Sequence, residues 1–313
     1  MPALSCEPRA VLAVAVLLGL ASNACGDDFS LADHGAAGRD AADAAQLTGG
    51  AGGTGGRDAA VARDAAPADA ADSDRRTADS GSEDTSTEPP IPTQGLLLWL
   101  RADRGVTLES GFVTRWADQS ANHSDAVAVS VDTRPELVSA GIGNRPSLKF
   151  DGADDFLQMP AGFSDFSRGL SVFASVERAT ADPCSAVLEL SNGSEIDDIS
   201  FGQFQNQLLY EVYDYSASHG VLPLATPLLL AIVHRPDLTY EARQNRKMIG
   251  EGSQPLPASI TREQNFVGKT LYGNCGLFPG MITELIVYDR SLSDSEVLAV
   301  EASMSAHAGC CEP

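Results

Sequence analysis

The stretch GLSVFASVER, residues 169–178, alternates apolar and polar side chains with a period of two. Leu170, Val172, Ala174 and Val176 would point to one face of an extended chain, and the residues between them to the other face. This period is typical of a β-strand with one face against a hydrophobic core. The stretch therefore predicts a strand, and the fold depends on how many similar stretches accompany it.

Similar runs recur along residues 94–313, separated by turn-forming residues. Several short strands at such spacing predict a β-sandwich or barrel rather than alternating strands and helices. The run PLLLAIVHR, residues 227–235, is almost continuously apolar, as expected for a strand covered on both faces. The other runs are GLLLWLRA, FVTRWAD, SLKFDG, SAVLEL, ISFGQF, QLLYEVYDY, YEARQNRKMIG and GMITELIVYDR.

One helix is predicted, at the C-terminal end, in LSDSEVLAVEASMSAHA, residues 292–308. Ser293 followed three residues later by Glu296 is the capping-box pattern that begins a helix. A helix in this position can cover an edge or an open end of the sandwich.

Three blocks resemble the bacterial laminin-G-like, concanavalin A-like jelly-roll domain. They are GLLLWLRADRGVTLESGFVTRWADQS (95–120), PSLKFDGADDFLQMP (146–160) and GMITELIVYDRSLSDSEV (280–297). The resemblance covers residues 94–306 and implies two antiparallel sheets packed face to face, with ligands bound at a rim or on the concave sheet. The fold class expected is thus all-β, a concanavalin A-like antiparallel β-sandwich (jelly roll) with one C-terminal helix, preceded by a disordered linker. A fold of this kind hosts many functions.

The first 24 residues predict a signal peptide. Arg9 is followed by an apolar run from Val11 to Ala21, which is too short to span a bilayer. The stretch ends in ASNACGDD, which resembles a bacterial lipobox and makes Cys25 the expected lipid-attachment site. Only Ala24 fits the usual residues before that cysteine, so cleavage near Ala24 to give a freely secreted protein is the alternative.

Residues 25–93 predict a disordered linker rich in Ala, Asp and Gly. Between 26 and 93 there are fourteen acidic residues and five arginines, and a segment of this composition cannot bury enough apolar surface to fold. The net charge of the whole chain is −22. Nucleic acid is excluded as a partner because its binding requires a basic surface. The membrane is expected to be reached only through the lipid anchor.

The stretch SEIDDIS, residues 194–200, resembles the first part of a glucanase active-site strand. Glu195 and Asp197 would share a face by alternation, after a hairpin turn at Asn192-Gly193. The position where that family carries its second glutamate is Ser200 here. A glycosidase needs two carboxyl groups, so the pattern favours an acidic hairpin tip without catalysis.

Two further groups are candidate ligand sites. Tyr213 and Tyr215 are expected to share a face with Glu211 and to form a surface on which sugar rings could stack. The turn DGADD clusters carboxylates of the kind that bind calcium, supplied by Asp151, Asp154 and Asp155. Calcium is the one cofactor that the sequence allows, and simple Asp-Gly turn chemistry is the alternative.

Four cysteines remain in the predicted domain: Cys184, Cys275, Cys310 and Cys311. An even number in an exported domain predicts disulfides, and four cysteines allow three pairings. The adjacent Cys310 and Cys311 are not expected to bond to each other. One of them is instead expected to attach the C-terminal helix to the sandwich through Cys275 or Cys184.

Together these patterns predict three regions: a signal peptide (1–24), a linker (25–93) and a jelly-roll domain (94–313). The function predicted is that of an exported, lipid-anchored protein of the cell envelope or outer surface, secreted if Cys25 is unmodified. Its head would bind a glycan or a surface protein without catalysis. The alternatives are a glycoside hydrolase that uses Glu195 and Asp197, and a purely structural envelope protein.

Overall fold

A computed structural model of the chain describes residues 89–181 and 183–311. Within this part, seventeen strands belong to one network of paired strands, and one α-helix follows them. The strands are β1 (Leu96–Arg101), β2 (Val106–Glu109), β3 (Phe112–Trp116), β4 (Ala126–Val127), β5 (Glu136–Val138), β6 (Ser147–Asp151), β7 (Leu157–Met159), β8 (Leu170–Arg178), β9 (Cys184–Ser191), β10 (Ile199–Phe204), β11 (Gln207–Val212), β12 (Tyr215–His219), β13 (Leu228–His234), β14 (Thr239–Gln244), β15 (Lys247–Ser253), β16 (Gln264–Val267) and β17 (Pro279–Tyr288). The helix is α1 (Asp294–Ala308).

The ladders between named strands are antiparallel and form two runs. We call the first the front run; it is ordered β7–β16–β9–β10–β11–β12. The second, the back run, is ordered β17–β8–β13–β14–β15. The edge of β17 that does not face β8 pairs with β6 and β1. Strands β3, β4 and β5 connect the two runs. The prediction of an all-β domain with one C-terminal helix is confirmed.

The main hydrophobic core lies against one face of the front run. Alternation by two directs the apolar side chains of β9, β10 and β11 into it, and these are Leu188, Leu190, Ile199, Phe201, Leu208, Tyr210 and Val212. The polar residues between them, among them Glu189, Ser200 and Glu211, must therefore point to the opposite face of the same strands. The functional site is built on that opposite face.

The helix covers the outer face of the back run. Phe173 of β8 and Leu229 of β13 belong to a second core cluster together with Val297, Val300 and Met304 of the helix. Every residue of β13 is buried, which confirms that this strand is covered on both faces. The helix begins with the expected capping box, in which the backbone N–H of Ser293 donates to Glu296 Oε2 over 2.9 Å.

The described residues contain no helix that is both long and apolar enough to cross a membrane. The predicted signal peptide, Cys25 and the predicted linker as far as residue 88 lie outside the described residues. The predicted domain boundaries and the lipid attachment therefore stay predictions.

The cysteines pair differently from the expected arrangement. Cys184 at the start of β9 bonds to Cys275, in the loop before β17, and Cys310 bonds to Cys311. The predicted bridge between α1 and the sandwich is therefore wrong. The buried residues of the helix pack on the back run without such a link. Cys311, next to Cys310 in sequence, has φ +69°.

We expect the Cys184–Cys275 disulfide to contribute substantially to stability, because it closes a loop across a sequence separation of 91 residues. Replacing both cysteines by Ser should lower the free energy of unfolding by about 2–5 kcal/mol, measured by denaturant titration. The matched control is the double Ser variant at Cys310 and Cys311, which closes almost no loop and should change stability little. Equal effects of the two variants would contradict this expectation.

Candidate functional site

A cavity of about 240 Å³ lies on the outer face of the front run. We call it the acidic pocket because carboxyl groups from β9, from β11 and from the turn before β10 line it. Its lining includes the acids Glu189, Glu195, Asp198 and Glu211 and the hydroxyl-bearing residues Ser200, Ser216, Thr270 and Tyr272.

The register of the strands brings the main polar residues of the pocket into one row. Glu189 of β9 lies opposite Ser200 of β10, and Ser200 lies opposite Glu211 of β11. Directly opposed residues share a face of the sheet. With neighbouring strands about 4.8 Å apart, the backbone positions of Glu189 and Glu211 are separated by about 10 Å.

Glu189 is the most deeply buried acid of the pocket, with 2% of its surface exposed. Its Oε2 has no hydrogen-bond partner among the described residues. Burial raises the pKa of this carboxyl from 4.5 to about 8, and the nearby Ser200 and Thr270 hydroxyls only partly offset the effect. Glu189 is therefore a carboxylic acid that keeps its proton at neutral pH.

Asp198 and Glu211 form a coupled pair at the other side of Ser200. The pKa of Glu211 is raised from 4.5 to about 7. Burial is the largest cause, and the charge of Asp198 and the hydrogen bond between the two side chains act in the same direction. Burial also raises the pKa of Asp198, which is 3% exposed. Two adjacent carboxyl groups of this kind share one proton near neutrality and act as a unit.

Glu195 and Asp197 do not form the predicted pair. Both residues have left-handed backbone conformations, at φ +58° and +53°, so the alternation assumed for a strand does not apply to them. Glu195 is exposed at the rim of the acidic pocket, whereas Asp197 lines a neighbouring groove and accepts a hydrogen bond from Asn192 Nδ2 over 3.3 Å. The tight turn also differs from the predicted one, since Gly193 and Ile196 are bridged around Ser194 and Glu195.

Sequence reasoning missed the two most buried acids of the acidic pocket, Glu189 and Asp198. Glu189 lies in the run SAVLEL, where its position between Leu188 and Leu190 already indicated the face opposite the core. Asp198 follows directly after Asp197 in the stretch that drew attention to catalysis. What the sequence could not provide is the register that sets Glu189 beside Ser200 and Glu211.

The expected shared face of Tyr213, Tyr215 and Glu211 is also wrong. Strand β11 ends at Val212, and Tyr213 has φ +56° in the turn that follows. The turn resets the alternation, so Tyr215 pairs with Val212 and not with Glu211. Glu211 lines the acidic pocket, while both tyrosines line the neighbouring groove.

The predicted calcium residues do lie together. Carboxylate oxygens of Asp151, Asp154 and Asp155 are within 4.8 Å of one another. However, Asp151 Oδ1 accepts backbone N–H bonds from Ala153 and Asp154, and Asp155 Oδ2 accepts one from Asp151. Burial raises the pKa of Asp155 to about 6. These contacts are those of an Asp-Gly turn, and calcium binding by the three carboxylates stays a prediction.

Comparisons with known proteins bear on the fold. No family model matches the chain, and no curated protein matches it. Among solved structures, domain 4 of AbnA, a GH43 extracellular arabinanase from Geobacillus stearothermophilus in complex with arabinotriose, aligns with a TM-score of 0.51 at 15% identity over 67% of this chain and 100% of that domain. Trypanosoma rangeli sialidase aligns with a TM-score of 0.50 at 17% identity over 69% of this chain. The chain spans about one third of the sialidase, 33% of its length.

The acidic pocket corrects the prediction that the head binds its ligand without catalysis; the lipid anchor stays a prediction. That prediction depended on the lack of a second carboxylate near Glu195. The structural neighbours bear on the fold alone, and in this chain the strands bring Glu189, Asp198 and Glu211 together from separate elements. The second carboxyl group that a glycoside hydrolase needs is therefore present in the pocket, although not at the residues first considered for it.

Replacing Glu189 by Gln should stabilise the domain at alkaline pH. The folded protein holds the Glu189 proton up to about pH 8, whereas an exposed glutamate releases it near 4.5. The folded state therefore binds more protons between these values, and the stability from this residue is present below pH 4.5 and lost as the pH rises through 8. At pH 8 the variant should gain about 1–3 kcal/mol in free energy of unfolding, with little difference at pH 4.

Thermal and denaturant unfolding at both pH values measures this difference. Glu263→Gln, at an exposed position, is the matched control and should behave as the wild type. A Glu189→Gln variant that loses stability equally at pH 4 and pH 8 would contradict the account of a buried, proton-holding carboxyl.

Proposed function

We propose that the acidic pocket is the active site of a glycoside hydrolase built on a concanavalin A-like jelly-roll sandwich. The observation that carries the proposal is the row across β9, β10 and β11. It places Glu189, which holds its proton at neutral pH, two strands from Glu211 and its partner Asp198. Two carboxyl groups whose environments set different protonation states supply the acid and the base that glycoside hydrolysis needs.

In this proposal Glu189 is the general acid. It donates its proton to the glycosidic oxygen as the bond to the leaving sugar breaks. Its burial in the pocket keeps it protonated until the substrate arrives. The electron pair of the broken bond stays with the leaving oxygen, which the proton converts to a hydroxyl group.

Glu211 is the general base, with Asp198 holding the shared proton beside it. In its ionised form Glu211 removes a proton from a water molecule that attacks the anomeric carbon from the side opposite the leaving group. Inverting enzymes hold the two carboxyl groups about 6.5–9.5 Å apart, with this water between them, and retaining enzymes hold them about 5–5.5 Å apart. Backbone positions about 10 Å apart leave room for the water.

Two observations support action outside the cytoplasm. The first is the signal-like segment 1–24, and the second is the Cys184–Cys275 disulfide, since disulfides persist in oxidising compartments. A domain that hydrolyses glycans would meet its substrate there. We propose export on these grounds.

Replacing either Glu189 or Glu211 by Gln should lower hydrolysis by about 10²–10⁴-fold. The measurement is the release of reducing sugar by the full chain from a panel of β-glucans, arabino-oligosaccharides and sialyllactose. Aryl glycosides with good leaving groups should restore much of the rate of Glu189→Gln, because their departure needs little help from an acid. They should not restore Glu211→Gln.

Glu195→Gln is the discriminating variant. It changes an exposed rim residue and should keep the rate within a few fold of the wild type. Loss of activity in Glu195→Gln, together with full activity in Glu189→Gln, would reverse the assignment. Absence of hydrolysis across the panel by the wild-type chain would count against the proposal.

The pH profile of kcat/KM should be bell-shaped with its maximum between about pH 7 and 8. Below this range Glu211 gains a proton and stops acting as a base, since its pKa is raised to about 7. Above it Glu189 loses the proton that it must donate, at about 8. In Glu189→Gln, assayed on an activated aryl glycoside, the alkaline limb should disappear and the acidic limb should stay; a profile unchanged by this variant would contradict the assignment.

A further inference from the structure

A second cavity, of about 350 Å³, lies next to the start of β10 and the end of β11, and it shares the lining residue Asp198 with the acidic pocket. We call it the tyrosine groove, and its walls include Tyr213, Tyr215, Pro255 and Leu256. We infer that this groove is a second sugar subsite and that the ligand is a glycan chain spanning both cavities, not a single terminal sugar. The inference extends the proposed function, because it assumes that the acidic pocket receives a sugar.

The two cavities share Asp198, which lines both of them. They open on opposite faces of the front run, because Tyr215 lies opposite the core residue Val212, whereas Glu211 faces the acidic pocket. The acidic pocket, at about 240 Å³, is smaller than the roughly 300–1,000 Å³ usual for small-molecule sites, and the tyrosine groove, at about 350 Å³, is near the low end of that range. A ligand that fills both cavities passes the start of β10 at Asp198.

The opposite end of the acidic pocket is bounded by the Cys184–Cys275 disulfide, whose two cysteines line it. Strand register fixes this arrangement. Cys184 pairs with Phe204 at the end of β10, and Asp198 lies just before the start of the same strand. A chain bound along β10 that reaches the tyrosine groove must therefore bend over the start of the strand at Asp198.

The two tyrosines present aromatic surface to solvent in this groove. Tyr213 is 50% exposed and Tyr215 is 52% exposed, which is high for side chains of this size. The backbone that carries them is held in place, because Tyr213 N donates to Asp198 O over 2.9 Å and Tyr215 pairs with Val212. Aromatic rings on a fixed backbone offer a flat apolar surface at a low entropy cost, which suits the C–H face of a sugar ring.

Arg262 holds the floor of the groove. It is fully buried, and its guanidinium donates to the backbone carbonyls of Asp197 (2.6 Å), Phe163 (2.8 Å) and Ala258 (3.2 Å). Burial lowers its pKa to about 10, so it remains charged at neutral pH. These bonds tie the segment that carries Ala258 to the turn before β10, so the groove is formed before any ligand binds.

The test measures binding separately from hydrolysis, with the full chain carrying Glu189→Gln. Calorimetric titration uses two series of probes, β-1,3-gluco-oligosaccharides and arabino-oligosaccharides of two to six units. Affinity should rise with chain length until both cavities are filled. Adding Tyr213→Ala and Tyr215→Ala should weaken binding of the longest probes about tenfold, and leave binding of the shortest probes unchanged.

Two further variants separate stacking from unfolding. Tyr213→Phe with Tyr215→Phe keeps both rings and should keep the affinity for long probes. Phe112→Ala removes an equally exposed ring that lines neither cavity, and it should change no affinity. Equal affinity for all chain lengths, or unchanged binding of the longest probes after loss of both tyrosine rings, would overturn the inference.

Failure of the subsite and failure of the proposed reaction give different results. Length-dependent binding that requires the tyrosines, in a chain whose wild type hydrolyses nothing, would retain the subsite and reject the reaction. Hydrolysis without any dependence of binding on the tyrosines would retain the reaction and reject the subsite. If neither series binds and the wild type hydrolyses nothing, both are rejected.

Discussion

The burial of carboxyl groups on the polar face of one sheet is the constraint on which the site depends. The front run has its hydrophobic core on one face, so alternation places Glu189 and Glu211 on the other. An ionised carboxylate is costly to remove from water, and these groups respond by holding protons at higher pH than usual. In the proposed reaction Glu189 is the acid and Glu211 is the base.

The rest of the fold fixes the two ends of this face. At one end Cys184 bonds to Cys275 and holds the loop that supplies Thr270 and Tyr272 to the acidic pocket. At the other end Arg262 donates to backbone carbonyls around the turn before β10. The carboxyl groups therefore lie between the Cys184–Cys275 disulfide and the buried guanidinium of Arg262. Strand pairing sets the spacing between the backbone positions of Glu189 and Glu211.

The sequence predicts much of the fold and little of the site. The alternation in residues 169–178, the apolar run of β13 and the capping box at Ser293 are local patterns, and each appears in the structure as expected. The site depends on register between strands distant in sequence, which no local pattern encodes. Glu195 illustrates the limit, because its place in a left-handed turn cancels the alternation that made it a candidate.

The most direct test of this account is a carboxyl ¹³C NMR titration of the full chain, with the Glu189 signal assigned by its loss in Glu189→Gln. We expect Glu189 to titrate near pH 8, and the signal of Glu211 to shift near pH 7 together with that of Asp198. A Glu189 midpoint near 4.5, the ordinary value for glutamate, would mean that the carboxyl is solvated and ionised at neutral pH. That result would remove the general acid and the proposed reaction with it.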